Sequence, residues 1–314
     1  MENKRIALRD FSLLIALVLI AAYFYTRDPR FLSSRNLAQL GIELSATAVL
    51  SLGMLLVILP GHIDLSVGSG VGLIGAVAAV LIVHSGWPAP LALLVTTLLA
   101  LAIYSGMGWI IVRERVPSFI ITLGGLLVFK GAHWLVIRSE TVPVVAGNQE
   151  NLYSLLTTFY LPAGVGYALT AVAIGVLGVV MWRGHHLRSE RGFASDGEEV
   201  FLRWFLASQV LGLFVLVMSQ YKGVPLAALL LGLVALVVHV LLQRTRLGRY
   251  LYAVGGNEQA ATVAGVPVNG VVIGAFALMG AIVALAGFLQ TAFAGATTTT
   301  TGQLMELDAI AACV

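Results

Sequence analysis

Charge is scarce in this sequence: Asp, Glu, Lys and Arg make up 11% of its 314 residues, against roughly 25% in a soluble domain. Hydrophobic residues reach 59%. One buried core cannot absorb so much apolar surface, but a bilayer can, because lipid replaces the core for outward-facing side chains. The formal charge of +3 comes from basic residues set in short gaps between apolar runs. They form no patch, which argues against a nucleic-acid partner. Cys313 is the only cysteine, which excludes an internal disulfide framework and a cysteine-based metal cluster. No Gly-Lys pair occurs, so the GxxxxGK[ST] phosphate loop is missing and the chain does not bind ATP by that motif. No His-Glu-x-x-His occurs, and Ser69 in VGSGV is not set as Gly-x-Ser-Gly. No catalytic residue, metal site or resident cofactor is expected.

What is there is a series of long apolar runs. At about 20 residues per spanning helix, candidates fall near 8–25, 37–59, 66–83, 89–112, 119–137, 163–182, 202–219, 225–242 and 268–290. The runs are continuous, whereas barrel strands alternate apolar and polar residues. The expected fold is therefore all-α: a polytopic transmembrane helical bundle of about 9 spans forming a single domain over 1–314, with a broken helix near residues 60–66. Lys4, Arg5 and Arg9 precede the apolar run from Phe11 to Tyr25, which lacks a small-residue cleavage site and reads as an uncleaved first span. With the N-terminus in the cytoplasm, twelve Lys and Arg fall inside and five outside, as the positive-inside rule asks. Arg27, Arg30 and Arg35 lie on the unfavoured side.

Ionisable residues within the apolar runs are few: Glu43, Asp64, Lys130, His133 and His239. Asp64 stands out because GHIDLSVG (61–68) interrupts an apolar stretch, and freed backbone amides at such a break can meet an anion or polar ligand. The plainer reading is that Asp64 with Ser66 caps a helix starting near Leu65. Gly68, Gly70, Gly72 and Gly75 would let neighbouring helices approach closely. Three polar segments read as loops. Residues 138–164 form a connector or a surface for an extracytoplasmic partner. Residues 183–203 form a solvated loop in which adjacent His185 and His186 lack a third metal ligand. In 243–268, Gly255-Gly256-Asn257 makes a turn, Asn257 caps a short helix over Glu258–Ala261, and Gly265 and Pro267 end it. That helix either docks into a partner's groove or is an interfacial connector.

Four segments carry a family resemblance. GHIDLSVGSGVGLIGAVAAVL (61–81) resembles the GGIDLSVGS segment of permease subunits of bacterial ATP-binding-cassette sugar importers of the ribose and xylose type. VPSFIITLGGLLVFKG (116–131) is similar to their PSFIVTLG segment, TRLGRYLYAVGGNEQAATVAGVPV (245–268) to their TxxGRxxYAxGGNxxAAxxSGIxV loop, and MELDAIAACV (305–314) to ELDAIAACV. The extended insertion before the seventh span and YKGVP (221–225) look most like the xylose subgroup. His62 and Ala264 depart from the family's Gly and Ser. Family members continue past Val314 through further spans, so the resemblance implies that C-terminal spans are missing here.

The resemblance implies a non-enzymatic subunit of the bacterial inner membrane that passes D-xylose or a related pentose inward. Its partners would be a second permease copy as a homodimer, a periplasmic sugar-binding protein and a cytoplasmic ATPase that binds ATP and Mg. It places Gly248, Arg249, Gly255, Gly256, Asn257, Ala260, Ala261 and Gly265 in the ATPase-coupling loop. A path for a neutral sugar calls for hydroxyls, and Ser66, Ser69, Ser118 and Thr122 are candidates, with Asp64, Glu306 and Asp308 beside them. Each hydroxyl could equally bond its own backbone. The run Thr297–Thr301 has no assigned role. An ion-coupled secondary transporter and an inactive truncated paralogue are the alternative readings.

Overall fold

A computed structural model describes residues 12–145, 147, 150–190 and 196–313. Lys4, Arg5, Arg9 and Arg191, which enter the charge-sidedness argument, lie outside the described residues. The helices are α1 (Ser12–Arg27), α2 (Ser34–Ile58), α3 (Val67–Val83), α4 (Ala89–Glu114), α5 (Ser118–Ile137), α6 (Leu152–Thr158) and α7 (Ala163–Glu190). They continue with α8 (Gly197–Ser219), α9 (Leu226–Arg244), α10 (Arg246–Gly256), α11 (Glu258–Val263), α12 (Val268–Ala294) and α13 (Met305–Ala311). Each of the nine apolar runs contains a helix among its described residues, and the protein is an all-α, multi-pass membrane bundle. Seven described helices are long and apolar enough to cross a bilayer: α2, α4, α5, α7, α8, α9 and α12. The count of nine is not established, because α1 and α3 are shorter. The 17 residues of α3 rise only about 26 Å, short of the ~30 Å hydrocarbon thickness.

The chain divides into two compact units, Met1–Leu40 with Leu161–Val224, and Gly41–Tyr160 with Pro225–Val314. In the first, α7 and α8 pack as a hairpin, with the Trp204 indole donating to the Ile174 carbonyl at 3.0 Å. Asp196 caps α8 by accepting from Glu198 N–H at 2.9 Å. The expected loop over 183–203 is largely helical. With no proline to stop it, α7 runs on through His185 and His186 to Glu190, and His186 pairs with Glu190 at 3.3 Å.

The second unit is built around α12, which packs on α3 and α4 and buries most of its length. Glycines make these contacts possible. A Cβ on Gly75 would sit 2.8 Å from the Gly287 carbonyl, and one on Gly287 2.7 Å from that of Val71. One on Gly280 would sit 2.7 Å from that of Ala100, and Gly70 leaves room for the Tyr104 hydroxyl. Backbones meeting this closely gain van der Waals contact that lipid cannot supply. Gly70 neighbours Val283 while Gly75 neighbours Gly287 and Thr291. Helix α3 therefore runs parallel to α12 and begins about half-way along it.

The segment 138–164 also differs from a plain connector. The two-residue strand Val142–Pro143 pairs antiparallel with Ala296–Thr297, and Asn151 and Ser154 form a capping box that starts α6. Tyr153 on α6 is fully buried, donating to the Gly75 carbonyl at 3.0 Å. After Thr297 the chain turns back along α3. Gly72 faces the Thr301 carbonyl, and Gly68 faces the Gly302 carbonyl and the Glu306 carboxylate. Residues 298–306 are thus a re-entrant segment seated on the glycine face of α3.

Candidate functional site

The connection from Leu59 to Ser66 leaves the end of α2 and climbs to the start of α3. Gly61 turns it at φ +88°, a left-handed conformation that glycine adopts without strain. Backbone freed at a helix break inside a membrane protein must find partners, and α5 supplies them. Ile63 N–H donates to Ser118 Oγ at 3.1 Å, and Leu65 N–H to Thr122 Oγ1 at 3.1 Å. Thr122 Oγ1 in turn donates to the Ile63 carbonyl at 3.2 Å.

Asp64 is fully buried. Its Oδ1 accepts from Ser66 N–H at 2.8 Å and from Ser66 Oγ at 2.6 Å. Helix α3 starts at Val67, and Ser66, its N-cap residue, makes no side-chain capping bond. Asp64 therefore closes the turn before the helix instead of capping a helix begun at Leu65. Its Oδ2 is buried without a partner among the described residues. Ser69 Oγ donates to the Ser66 carbonyl at 2.9 Å. Ser66, Ser69, Ser118 and Thr122 all bond the backbone or the acid of this break. Glu306 is half-buried beside Gly68, one turn from Asp64, and Asp308 is exposed.

The second element of the site lies directly against the break. Thr245 caps α10, accepting from Gly248 N–H at 3.2 Å, and Gly248 fits against the Leu241 and Leu242 carbonyls. Arg249 is exposed, while Leu251 and Val254 are buried. The expected turn at 255–257 is shorter than the sequence suggests, because α10 continues through Gly255 and Gly256. The reason is contact: Gly255 lies on the Leu59 carbonyl, where no Cβ fits. Asn257 then breaks the helix and caps α11, its Oδ1 accepting from Ala260 N–H at 2.9 Å. Gly265, at φ +81°, follows its end. Ala261 anchors α11, whereas Gly256, Asn257, Glu258, Gln259 and Ala260 are exposed, and Val263 is 90% exposed.

Between the break, the α4–α5 turn and α11 lies a pocket of about 1050 Å³, lined among others by His62, Arg113, Arg115, Ser118, Glu258 and Asn269. The His62 ring stands edge-on to Phe276 at 6.2 Å. Burial lowers its pKa, and Glu258 pulls it the other way. What this arrangement can do is mechanical: an exposed capped helix, α11, follows directly on α10, whose Gly255 rests on the carbonyl at the foot of the helix break.

The profile of the branched-chain amino acid transport system / permease component family matches residues 36–314. The chain belongs to this permease family. The permease is 36% identical over 313 residues to the xylose transport system permease protein XylH of Escherichia coli K12, covering 99% of this chain and 79% of that one. It is 35% identical over 315 residues to XylH of Haemophilus influenzae, covering 99% and 82%. To the ribose import permease protein RbsC of Escherichia coli K12 it is 32% identical over 301 residues, covering 96% and 75%. No solved structure matches. The permease is a transport component, not an enzyme. Sequence reasoning missed the Gly255–Leu59 contact, because nothing in two separate glycine-bearing loops says that they touch. Val263 was available as a signal, an apolar residue at the end of an otherwise small and polar helix.

Proposed function

We propose that the permease carries a pentose, D-xylose or a close relative, across the bacterial inner membrane into the cytoplasm, with its N-terminus inside. A periplasmic binding protein delivers the sugar, two permease copies form the pathway, and a separate ATPase subunit binds ATP and Mg and supplies the energy. The sugar class follows the similarity to xylose and ribose permeases.

The observation that carries the coupling mechanism is the seating of Gly255 on Leu59 above the exposed helix α11. When the ATPase pair closes, a cleft gripping α11 and Val263 moves a short, stiff lever. Its other end bears on the last carbonyl before the break, so the displacement is delivered to the 59–66 connection and to α3. His62 and Glu258 line the same pocket between lever and break.

The test is uptake of radiolabelled xylose by cells that lack their own xylose permease but express the cognate ATPase and binding protein. Uptake is expected to require ATP and to survive an uncoupler when ATP is held constant. Gly255→Ala, the smallest side chain that must displace the Leu59 carbonyl, should lower uptake per unit of folded permease at least about tenfold, the equivalent of ~1.4 kcal/mol, with continued ATP hydrolysis. Uptake that collapses with the ion gradient at constant ATP would instead establish a secondary transporter.

A further inference from the structure

Lys130 lies thirteenth of the 20 residues of α5, near the middle of a helix long and apolar enough to span a bilayer, and it is exposed. A lysine at that depth facing hydrocarbon is costly, and such residues face a bundle interior or a water-filled cavity instead. The contacts of α5 fix its depth. Thr122 meets Leu65, Gly125 lies 3.3 Å from Ser66 as measured from an added Cβ, and His133 meets Gly72 and Thr297. Lys130 therefore stands level with the stretch of α3 between Gly68 and Gly72. That is where the re-entrant segment places Glu306, against Gly68. The Lys130 ammonium favours an ionised Glu306 and the Asp308 carboxylate opposes it, although Lys130 and Glu306 form no ion pair within 4.0 Å among the described residues. Gly131, beside Lys130, has open space around it, and Thr300, Gln303 and Asp308 on the re-entrant segment are exposed.

We propose that Lys130 and Glu306 form a water-facing charged pair at membrane depth that binds the hydroxyls of the cargo in transit. The ammonium donates and the carboxylate accepts, so together they match a polyol whose neighbouring hydroxyls each offer a donor and an acceptor. A neutral ligand shared between them leaves readily, since neither charge is neutralised by it. The pair joins two elements that move differently if α3 moves, the spanning helix α5 and the segment seated on α3. The ligand class rests on the transport reading above; the water-facing placement does not.

Valine 128 provides a control matched in depth. Val128 is 65% exposed on the same helix, about 3 Å from Lys130 along the axis and roughly 160° around it. In a Cys313→Ser background, which keeps a donor toward the Ser51 carbonyl, Lys130→Cys and Glu306→Cys should react with a membrane-impermeant cationic methanethiosulfonate in intact membranes. Val128→Cys should stay unmodified. Equal reactivity at 128 and 130, or none at either, overturns the water-facing placement whatever the substrate is. Saturating xylose should slow modification of Gln303→Cys, an exposed neighbour on the re-entrant segment that leaves both charges in place, at least about threefold, as occupancy of a shared site requires. Unchanged rates in a protein that transports xylose overturn the ligand role. Lys130→Met should cut uptake at least about tenfold, as loss of a charged hydrogen bond does, while Lys130→Arg restores most of it. Equal uptake by the Met and Arg variants at equal abundance counts against the pair.

Discussion

Helices α3 and α7 are both apolar and rich in glycine, yet their glycines meet different fates. In α3, Gly68, Gly70, Gly72 and Gly75 each face a carbonyl or side chain close enough to leave no room for a Cβ. In α7, Gly164, Gly175 and Gly184 have nothing within 4 Å, Gly166 and Gly178 meet only side chains, those of Val224, Val215 and Trp204, and of the residues of α7 only Gly166 is buried. Hydropathy does not separate interior from exterior spans: α7 and α2 share a mean hydropathy of 2.0 while α2 is half buried. A run of glycines marks an interior helix when close neighbours, backbone above all, answer every one of them. In α3 the answers come from α12, α4 and the re-entrant segment, which together bury a short helix inside its unit.

The contrast can be broken most severely at Gly72. A leucine there would meet the Thr301 carbonyl and the His133 ring, groups held by β-pairing and by the His133–Thr297 bond at 3.1 Å. Overpacking of a site that cannot yield costs about 3 kcal/mol or more. Gly72→Leu is expected to abolish the monodisperse folded peak in fluorescence-detected size exclusion. A normal peak would mean that the re-entrant segment is not seated on α3.

An intermediate effect is expected at Thr122, where the break is held by a hydroxyl and not by close packing. Thr122→Val keeps the shape but strands the Leu65 N–H and the Ile63 carbonyl, at a cost of about 1–3 kcal/mol for a buried unpaired group. Thr122→Ser keeps the hydroxyl and should lie closer to wild type. Thermal unfolding of the purified permease in detergent reads both. If the valine variant melts with the wild type, Thr122 is not the partner that holds the break, and a role facing the cargo becomes the better account of its hydroxyl.

The sequence showed most where polar residues interrupt apolar runs. GHIDLSVG read correctly as a break, and Asn257 as the cap of a short helix, because capping and turn chemistry are local. The order of the spans was equally plain. What escaped depends on partners far along the chain. Segment 138–164 reads as a loop until Tyr153 finds the Gly75 carbonyl, 78 residues away. The threonine run has no local meaning until Thr297 meets His133 and Thr301 lies on Gly72. The sequence offers Ser118 and Thr122 either as hydroxyls for a sugar path or as partners of their own helix backbone, and the structure bonds them to backbone 55 to 59 residues earlier. A sequence lists hydroxyls but does not say which of them a broken helix will use.

The smallest effect is expected at Gly175, and it is the sharpest test of the comparison. Its surroundings are open, so a leucine side chain would extend into lipid, and the helix would exchange a poor helix former for a good one. Gly175→Leu should leave stability within about 0.5 kcal/mol of wild type, as surface substitutions usually do, or raise it slightly. Thermal unfolding alone would not distinguish a lipid-facing glycine from one covered by another protein, because detergent strips both. Uptake in membranes does distinguish them. A variant that unfolds like the wild type yet loses transport would mean that a second chain covers this face of α7 in the assembled importer. Gly175 would then be answered after all, by a partner chain instead of the permease's own.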